Sequence, residues 1–392
     1  MVPRGVWVLG LVSMCMDLSS ELVHSLLPLY MASALGASVF VIGIVEGAAE
    51  ALALIVKLFS GVISDVFRRR KPLVLLGYGL AAVSKFAFPL APSLGWIVGA
   101  RLADRLGKGI RGAPRDALIA DITPAEARGR SFGLRQALDT VGAIGGPLLA
   151  LGAMTYFASN FHAAFWIAVV PAMLAVLLIV VGVDEPDRMP SPAPGKAPLR
   201  LADVRRLPRN YVFVVAIAGV LALARFSEAF LVLRAQNVGF ADALAPLVMV
   251  VMSIVFAITS YPAGAAADRG QGPRLLSAGL IALLAADLVL AHADGRGMVL
   301  AGAALWGLHM GLTQGLLSAL VAGSAPTDMR GTAFGVFNLV CGVALLIASV
   351  LAGWLWDAFG PRFTFYAGAG FTAVAWLGFL RYGRRAAELP PA

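Results

Sequence analysis

The chain has 392 residues, of which 59% are hydrophobic and only 14% are charged, so it lacks the polar surface of ordinary soluble domains. Its net charge is +9, but the basic residues form short clusters between apolar stretches, which argues against a nucleic-acid surface. The two cysteines lie far apart in apolar stretches, so neither a disulfide framework nor a zinc site is predicted.

Apolar stretches of membrane-spanning length follow one another along the chain, and the length leaves room for about twelve of them. We therefore predict an all-α membrane protein with twelve transmembrane helices in two pseudo-symmetric six-helix bundles. The first stretch contains charged residues and no small-residue cleavage site, so we expect it to be retained as a helix. The predicted spans are 6–31, 38–64, 72–92, 94–112, 131–153, 163–183, 210–234, 243–267, 274–293, 296–322, 330–355 and 361–381.

Lysine and arginine occur in alternate loops, whereas the loops at 32–37, around Pro92 and at 153–162 contain none. The positive-inside rule then places both termini in the cytoplasm, for a multi-pass protein of a bacterial-type inner membrane. A proline-rich polar stretch at 184–209 is predicted to be a cytoplasmic linker, because it cannot bury a core. The linker separates predicted bundles at 1–183 and 210–392.

An internal repeat supports this division. The segment that begins at Pro124 and contains Arg128-Gly129 recurs as the segment that begins at Pro326 and contains Arg330-Gly331. Two further motif pairs recur at nearly the same offset, about 200 residues along the chain. The repeat indicates a duplicated half.

The first two spans carry an unusual number of charged side chains. Asp17, Ser20, Glu21 and His24 follow the i, i+3, i+4, i+7 spacing of one helical face, and Glu46 and Glu50 share a stripe in the second span. Charge inside a membrane is costly unless it is paired or hydrated, so these faces are predicted to line a water-filled cavity.

The loop after the second span runs from Gly61 through Asp65 to the basic cluster that includes Arg69 and Arg70. This segment resembles the cytoplasmic loop signature of the Major Facilitator Superfamily, although Val66 and Arg68 depart from it. The resemblance implies that Asp65 and the basic run latch the two halves in one state. The corresponding residues in the second half are Asp268 and Arg269. The alternative is plain positive-inside topology.

The fourth span resembles a further signature of the same family. Arg101, Asp104, Arg105 and Lys108 share one helical face. By its depth in the span, Arg101 is expected to meet Asp17 and Glu50 near mid-bilayer.

The fifth span contains Gly133, Gly142, Gly146 and Pro147, and their spacing resembles a sequence signature of drug/proton antiporters. This resemblance implies export, with Gly142, Gly146 and Pro147 as gating residues that allow close helix approach. Generic helix packing is the alternative. Arg135 and Asp139 form a predicted i,i+4 pair nearer the cytoplasm.

The second half contains fewer charged residues in its spans. Candidate substrate-binding residues there are Arg225, Glu228, Trp306, His309 and Gln314, and Asp287 is left without a role. Trp306 and His309 share a face that suits stacking on a solute or cation. A simple interhelical hydrogen bond is the alternative for His309.

These patterns predict a secondary active transporter that works by alternating access, most simply a proton-coupled antiporter exporting a small charged or zwitterionic organic solute. The alternatives are proton-coupled uptake of an organic anion or metal chelate, and metal-ion efflux. The proton affinity of a cavity carboxylate depends on hydration and neighbouring charge, so access to one side can be coupled to proton binding. A static salt-bridge network is the competing interpretation. The predicted proton-coupling residues are Asp17, Glu21, His24, Glu50, Arg101 and Asp104, and the predicted substrate-binding residues of the first half are Glu46, Arg105, Lys108, Arg135 and Asp139.

No nucleophile lies in a glycine-rich turn, so no enzyme activity is predicted, and we expect no cofactor and no resident metal. The expected partners are the solute, protons and the lipid bilayer, with no nucleic acid. We expect the protein to work as a monomer.

Overall fold

The computed structural model describes residues 2–67, 69–184, 207–326 and 329–388, and within these ranges the chain forms helices and no strand. The predicted all-helical membrane fold is thereby confirmed. The helices are α1 Arg4–Leu29, α2 Val39–Phe67, α3 Lys71–Ala87, α4 Leu94–Ile122, α5 Arg128–Tyr156, α6 Phe161–Gly182, α7 Arg209–Ala224, α8 Ala229–Asn237, α9 Leu247–Ala266, α10 Gly272–Ala291, α11 Arg296–Ser324, α12 Arg330–Phe359 and α13 Pro361–Glu388.

Eight helical segments of the described residues are long and apolar enough to cross a membrane. The α4 helix is not among them, because its charged face breaks the apolar run. The total of twelve spans therefore stays a prediction, and most of the predicted linker, residues 185–206, lies outside the described residues.

The chain forms two compact units. The first comprises Met1–Ala37, Ala48–Pro198 and Ala241–Val250, and the second comprises Ser38–Gly47, Leu199–Phe240 and Val251–Ala392. In the first unit, α1 packs on α5 and α6, and α3 packs on α4 and α6. In the second unit, α7 packs on α12 and α13, and α10 packs on α11 and α13. The packing within each unit repeats in the same order along the chain, as the duplicated motifs do.

The α4 helix is ten residues longer than its predicted span and ends at Ile122 instead of residue 112. Ion pairs hold this extension: Arg115 pairs with Asp116, and Arg70 pairs with Asp121. The sequence pattern ended the span where charge begins, whereas the helix continues because its charged side chains find partners.

The predicted seventh span, 210–234, is broken. The α7 helix ends at Ala224 and α8 starts at Ala229, with non-helical backbone at Arg225. Hydroxyl groups satisfy backbone groups freed by the break: Ser227 N–H donates to Ser349 Oγ at 3.1 Å, and Ala229 N–H donates to Ser227 Oγ at 3.3 Å. No proline or glycine marks this site, so apolar periodicity alone predicted one continuous helix.

The first turn of α2 is bonded to α12 within the second unit. The carboxylate of Asp357 accepts hydrogen bonds from the backbone N–H groups of Val39 at 3.3 Å and of Phe40 at 2.9 Å. An acidic group at a helix N-terminus satisfies unpaired donors and opposes the helix dipole. Asp357 therefore fixes where α2 begins.

The α1 and α5 helices cross with their backbones nearly in contact. A Cβ at Gly142 would lie 2.7 Å from the carbonyl oxygen of Met14 and 2.8 Å from Cβ of Asp17. A Cβ at Gly146 would lie 2.5 Å from Cβ of Glu21. The two glycines are needed for this close approach, and Pro147 beside them is buried inside α5.

Candidate functional site

The charged face of α4 lies inside the first unit. Arg101, Asp104 and Arg105 are at most 2% exposed, whereas Lys108 is exposed. Their spacing places all four on one side of the helix, as predicted. Three buried ionisable side chains on one face require partners from neighbouring helices. An isolated buried charge destabilises the protein by roughly several kcal/mol, even after the surroundings relax.

Asp104 is the centre of these contacts. One carboxylate oxygen lies 2.6 Å from Lys85 Nζ on α3, and the other lies 3.0 Å from Arg105 Nη2. Arg101 Nη1 is 3.9 Å away. Lys85 also donates to the hydroxyl of Ser20 on α1 at 3.1 Å, so the cluster joins three helices.

Glu50 on α2 completes the cluster from its more accessible side. Its Oε1 accepts from Arg105 Nη1 at 3.1 Å and lies 3.9 Å from Arg101 Nη2. The side chain of Glu50 is 30% exposed, whereas the other members are almost fully buried. We call Glu50, Lys85, Arg101, Asp104 and Arg105 the charged network. Glu50 is therefore the most exposed member of the charged network.

His24 contacts the charged network from α1. Its Nδ1 lies 2.8 Å from Arg101 Nη2. A guanidinium group only donates hydrogen bonds, so Nδ1 must be the acceptor and carries no proton. The ring is thus the neutral tautomer with its proton on Nε2 in this conformation.

Asp17 and Glu21, predicted to join this cluster, lie elsewhere. Their β-carbons pack against Gly142 and Gly146 of α5, and neither side chain forms a hydrogen bond or ion pair with the residues that the structure describes. The polar face of α1 is wide enough to contact two neighbouring helices. The edge with Ser20 and His24 faces the charged network, and the edge with Asp17 and Glu21 faces α5.

A second charged cluster lies where α4 and α5 approach each other. Arg135 Nη1 pairs with Asp139 Oδ2 at 2.9 Å, as predicted, and lies 3.6 Å from Asp116. Arg115 pairs with Asp116 at 3.0 Å and donates to the Ser13 hydroxyl on α1 at 2.8 Å. These side chains are partly exposed, whereas those of the charged network other than Glu50 are almost fully buried.

The candidates of the second half differ in their surroundings. Trp306 is 1% exposed and its ring lies 5.4 Å from that of Phe226. His309 Nδ1 donates to the Gly279 carbonyl at 2.9 Å, which is the interhelical hydrogen bond considered as its alternative role. Gln314 is exposed on α11. Arg225 and Glu228 flank the break between α7 and α8.

The remaining candidates have simpler surroundings. Glu46 is fully buried one turn before Glu50 on α2. Arg70 of the basic loop donates to Ser64 and pairs with Asp121 of the same unit. The side chain of Asp65 lies outside the described residues. Gly61 lies on α2, where an added Cβ would be 3.4 Å from Cβ of Ala113. Arg69, Asp268 and Arg269 are exposed.

Sequence reasoning missed Lys85. Its signal was present, because a single lysine in the otherwise apolar third span must be paired or hydrated. Lys85 belongs to no recognised motif and is the one charged residue of the predicted span 72–92, so no charge spacing marks it.

Three comparisons with known proteins bear on this architecture. The model of the Major Facilitator Superfamily matches residues 9–348 and also residues 229–391. An uncharacterized MFS-type transporter of Methanocaldococcus jannaschii is 32% identical over 381 residues, 95% of this chain and 94% of that protein. Multidrug resistance protein MdtH of Escherichia coli O1:K1 / APEC is 23% identical over 360 residues, 90% of this chain and 87% of that protein. A crystal structure of a variant of the nucleoside transporter NupG aligns with a TM-score of 0.80 at 14% identity, over 96% of this chain and 99% of that chain, and shows likeness of fold.

Proposed function

The chain belongs to the Major Facilitator Superfamily of membrane transporters, and from that premise we propose that it is a proton-coupled antiporter that exports a small charged or zwitterionic organic solute. The observation that carries the proposal is the accessible position of Glu50 in an otherwise buried charged network. The glycine spacing in α5 and the similarity to a multidrug resistance protein favour export over uptake.

In the proposed cycle, Glu50 binds either a proton or a cationic group of the solute. When Glu50 is ionised it accepts from Arg105, and a cationic group can approach its exposed side. Protonation removes the negative charge and weakens both attractions. Two ligands that compete for one carboxylate exclude each other, and mutual exclusion during alternating access gives exchange.

The remaining members of the charged network hold this carboxylate in place. Asp104 contacts both Lys85 and Arg105, so that Arg105 presents one nitrogen to Glu50 in a fixed direction. Buried donors that are already oriented lose little freedom when they bind. We further propose that the protein lies in the inner membrane with both termini cytoplasmic, and that it works as a monomer.

Proteoliposomes test the proposal. Solutes are chosen from a metabolite comparison of cells with and without the protein, and proton movement is recorded with an internal pH dye when solute is added. We expect solute-driven proton movement with the wild-type protein and a loss of at least about tenfold with Glu50→Gln, because the amide cannot be ionised.

Glu126→Gln is the matched control, since Glu126 is an exposed glutamate in the turn between α4 and α5. This variant should retain wild-type exchange. Wild-type proton movement with Glu50→Gln would disprove the role of Glu50. A wild-type protein that transports solute without moving protons would disprove proton coupling.

A further inference from the structure

Asp287 on α10 has an environment unlike that of any acid in the charged network. It is 0% exposed, and neither oxygen of its carboxyl group has a hydrogen-bond partner among the residues that the structure describes. No ion pair to it exists within the same ranges. An ionised carboxylate in such a place would be far less stable than the neutral acid.

Asp287 lies beside an aromatic cluster. Asp287 Oδ2 and Cε1 of Phe226 both lie within 3.0 Å of the position that a Cβ would take at Gly368 on α13. The Phe226 ring in turn packs on the rings of Trp306 at 5.4 Å and Phe365 at 5.6 Å. Gly368 thus leaves a space that Asp287 and an aromatic cluster fill.

The charged and titratable groups that the structure describes on the surrounding elements form no hydrogen bond or ion pair with Asp287. On α13, Arg362 pairs with Asp294 and Tyr366 bonds with His292, and Arg381 is near the other end of the helix. On α11, His309 donates to Gly279 and Arg296 donates to Gly239. Arg225, next to Phe226, forms no ion pair with Asp287 in the described part of the chain, Arg234 bonds backbone carbonyls, and Arg269 and Arg274 lie beyond the start of α10.

We propose that Asp287 is a proton-binding site of the second unit, separate from the charged network, and that it carries its proton as a neutral carboxylic acid in this conformation. A metal cation is a poorer occupant, because it requires several oxygen ligands and the neighbours here are aromatic rings. The proton is held as O–H on one carboxyl oxygen. It leaves to water as a hydronium ion, and a carboxylate remains, when the conformation changes and water reaches the site.

The release step rests on the proposed function, whereas the protonation state does not. Infrared difference spectroscopy of the full chain in lipid nanodiscs at neutral pH tests the protonation state directly. Asp287→Asn should remove a C=O stretching band of a protonated carboxylic acid from the wild-type spectrum. The control Asp294→Asn should leave that band intact, since Asp294 is 78% exposed and paired with Arg362. If Asp287→Asn removed a band of an ionised carboxylate and left the acid band unchanged, the proposal would be overturned.

Thermal unfolding provides a second readout. An amide matches the neutral acid in shape, so Asp287→Asn should unfold at a temperature no lower than the wild-type protein. A clear fall in the unfolding temperature at neutral pH would indicate that the native group is charged and paired, and would overturn the proposal.

The release step is measured in the same proteoliposomes as the exchange reaction. Asp287→Asn should move fewer protons per solute than the wild-type protein, and an unchanged ratio would overturn release from Asp287. A wild-type protein that moves no protons would defeat the proposed antiport, while the infrared result would still decide whether Asp287 holds a proton.

Discussion

Asp104 is the residue whose loss should most destabilise the first unit, because its carboxylate forms ion pairs with both the buried Lys85 and the buried Arg105. Removing one member of a buried ion pair typically costs about 3–5 kcal/mol, since the partner stays charged without compensation. We expect Asp104→Asn to lower the unfolding temperature of the detergent-purified protein strongly.

Asp294→Asn is again the matched control, because Asp294 and Arg362 form an exposed pair whose loss should cost at most about 1 kcal/mol. Combining Asp104→Asn with Lys85→Met should recover part of the lost stability, since the double variant leaves fewer unpaired charges. Equal unfolding temperatures for Asp104→Asn and the wild-type protein would show that the network is not a stabilising one.

At the residue scale, the sequence indicated which side chains share a helical face but not which helix each face meets. Arg101, Asp104 and Arg105 were correctly grouped because spacing along one helix determines a face. Asp17 was wrongly expected to meet Arg101, because the sequence of α1 does not determine which helix packs against each of its faces. Roles assigned to these residues in proton or solute binding stay predictions.

At the element scale, the crossing of α1 and α5 offers a sharp comparison between two glycines of one helix. A Cβ at Gly146 would meet α1 at 2.5 Å, whereas a Cβ at Gly152 would meet nothing within 4 Å. Gly146→Ala should destabilise the protein by about 1–3 kcal/mol through overpacking. Gly152→Ala should be neutral or stabilise it by up to about 1 kcal/mol, since alanine is the better helix former.

Thermal unfolding of both variants, with solute exchange as a second readout, checks this difference. A Gly146→Ala protein as stable as Gly152→Ala would mean that α1 and α5 are farther apart than the structure places them.

Most helices were predictable because apolar stretches and charged loops alternate so regularly. The break between α7 and α8 was not, since it depends on Ser349, a residue distant in sequence, to bond the freed N–H of Ser227. The extension of α4 to Ile122 escaped prediction for a related reason: Asp121 pairs with Arg70, which belongs to another segment.

At the scale of the whole molecule, the alternation of basic loops predicts the orientation in the membrane. In a background with Cys15→Ser and Cys341→Ser, we expect Ser93→Cys to react with a membrane-impermeant maleimide on intact cells. Ser93 is exposed in the turn between α3 and α4, where the loop has no basic residue. Glu126→Cys, in the basic α4–α5 turn, should react only after the cells are permeabilised.

The reverse labelling pattern would invert the topology and place both termini outside. Labelling of both positions on intact cells would instead indicate that both turns lie on the same side of the bilayer. The signatures in the loop after α2 and in α4 and α5 correctly indicated the family, while the boundaries of the two predicted bundles stay a proposal.

The glycine crossing has a mechanical consequence. The backbone of α1 sits directly in the grooves that Gly142 and Gly146 leave on α5, with no flexible side chain between them to take up sliding. These two helices should therefore move together as one rigid body. Any deformation of the first unit during a transport cycle should then occur at helix interfaces that are formed by longer side chains.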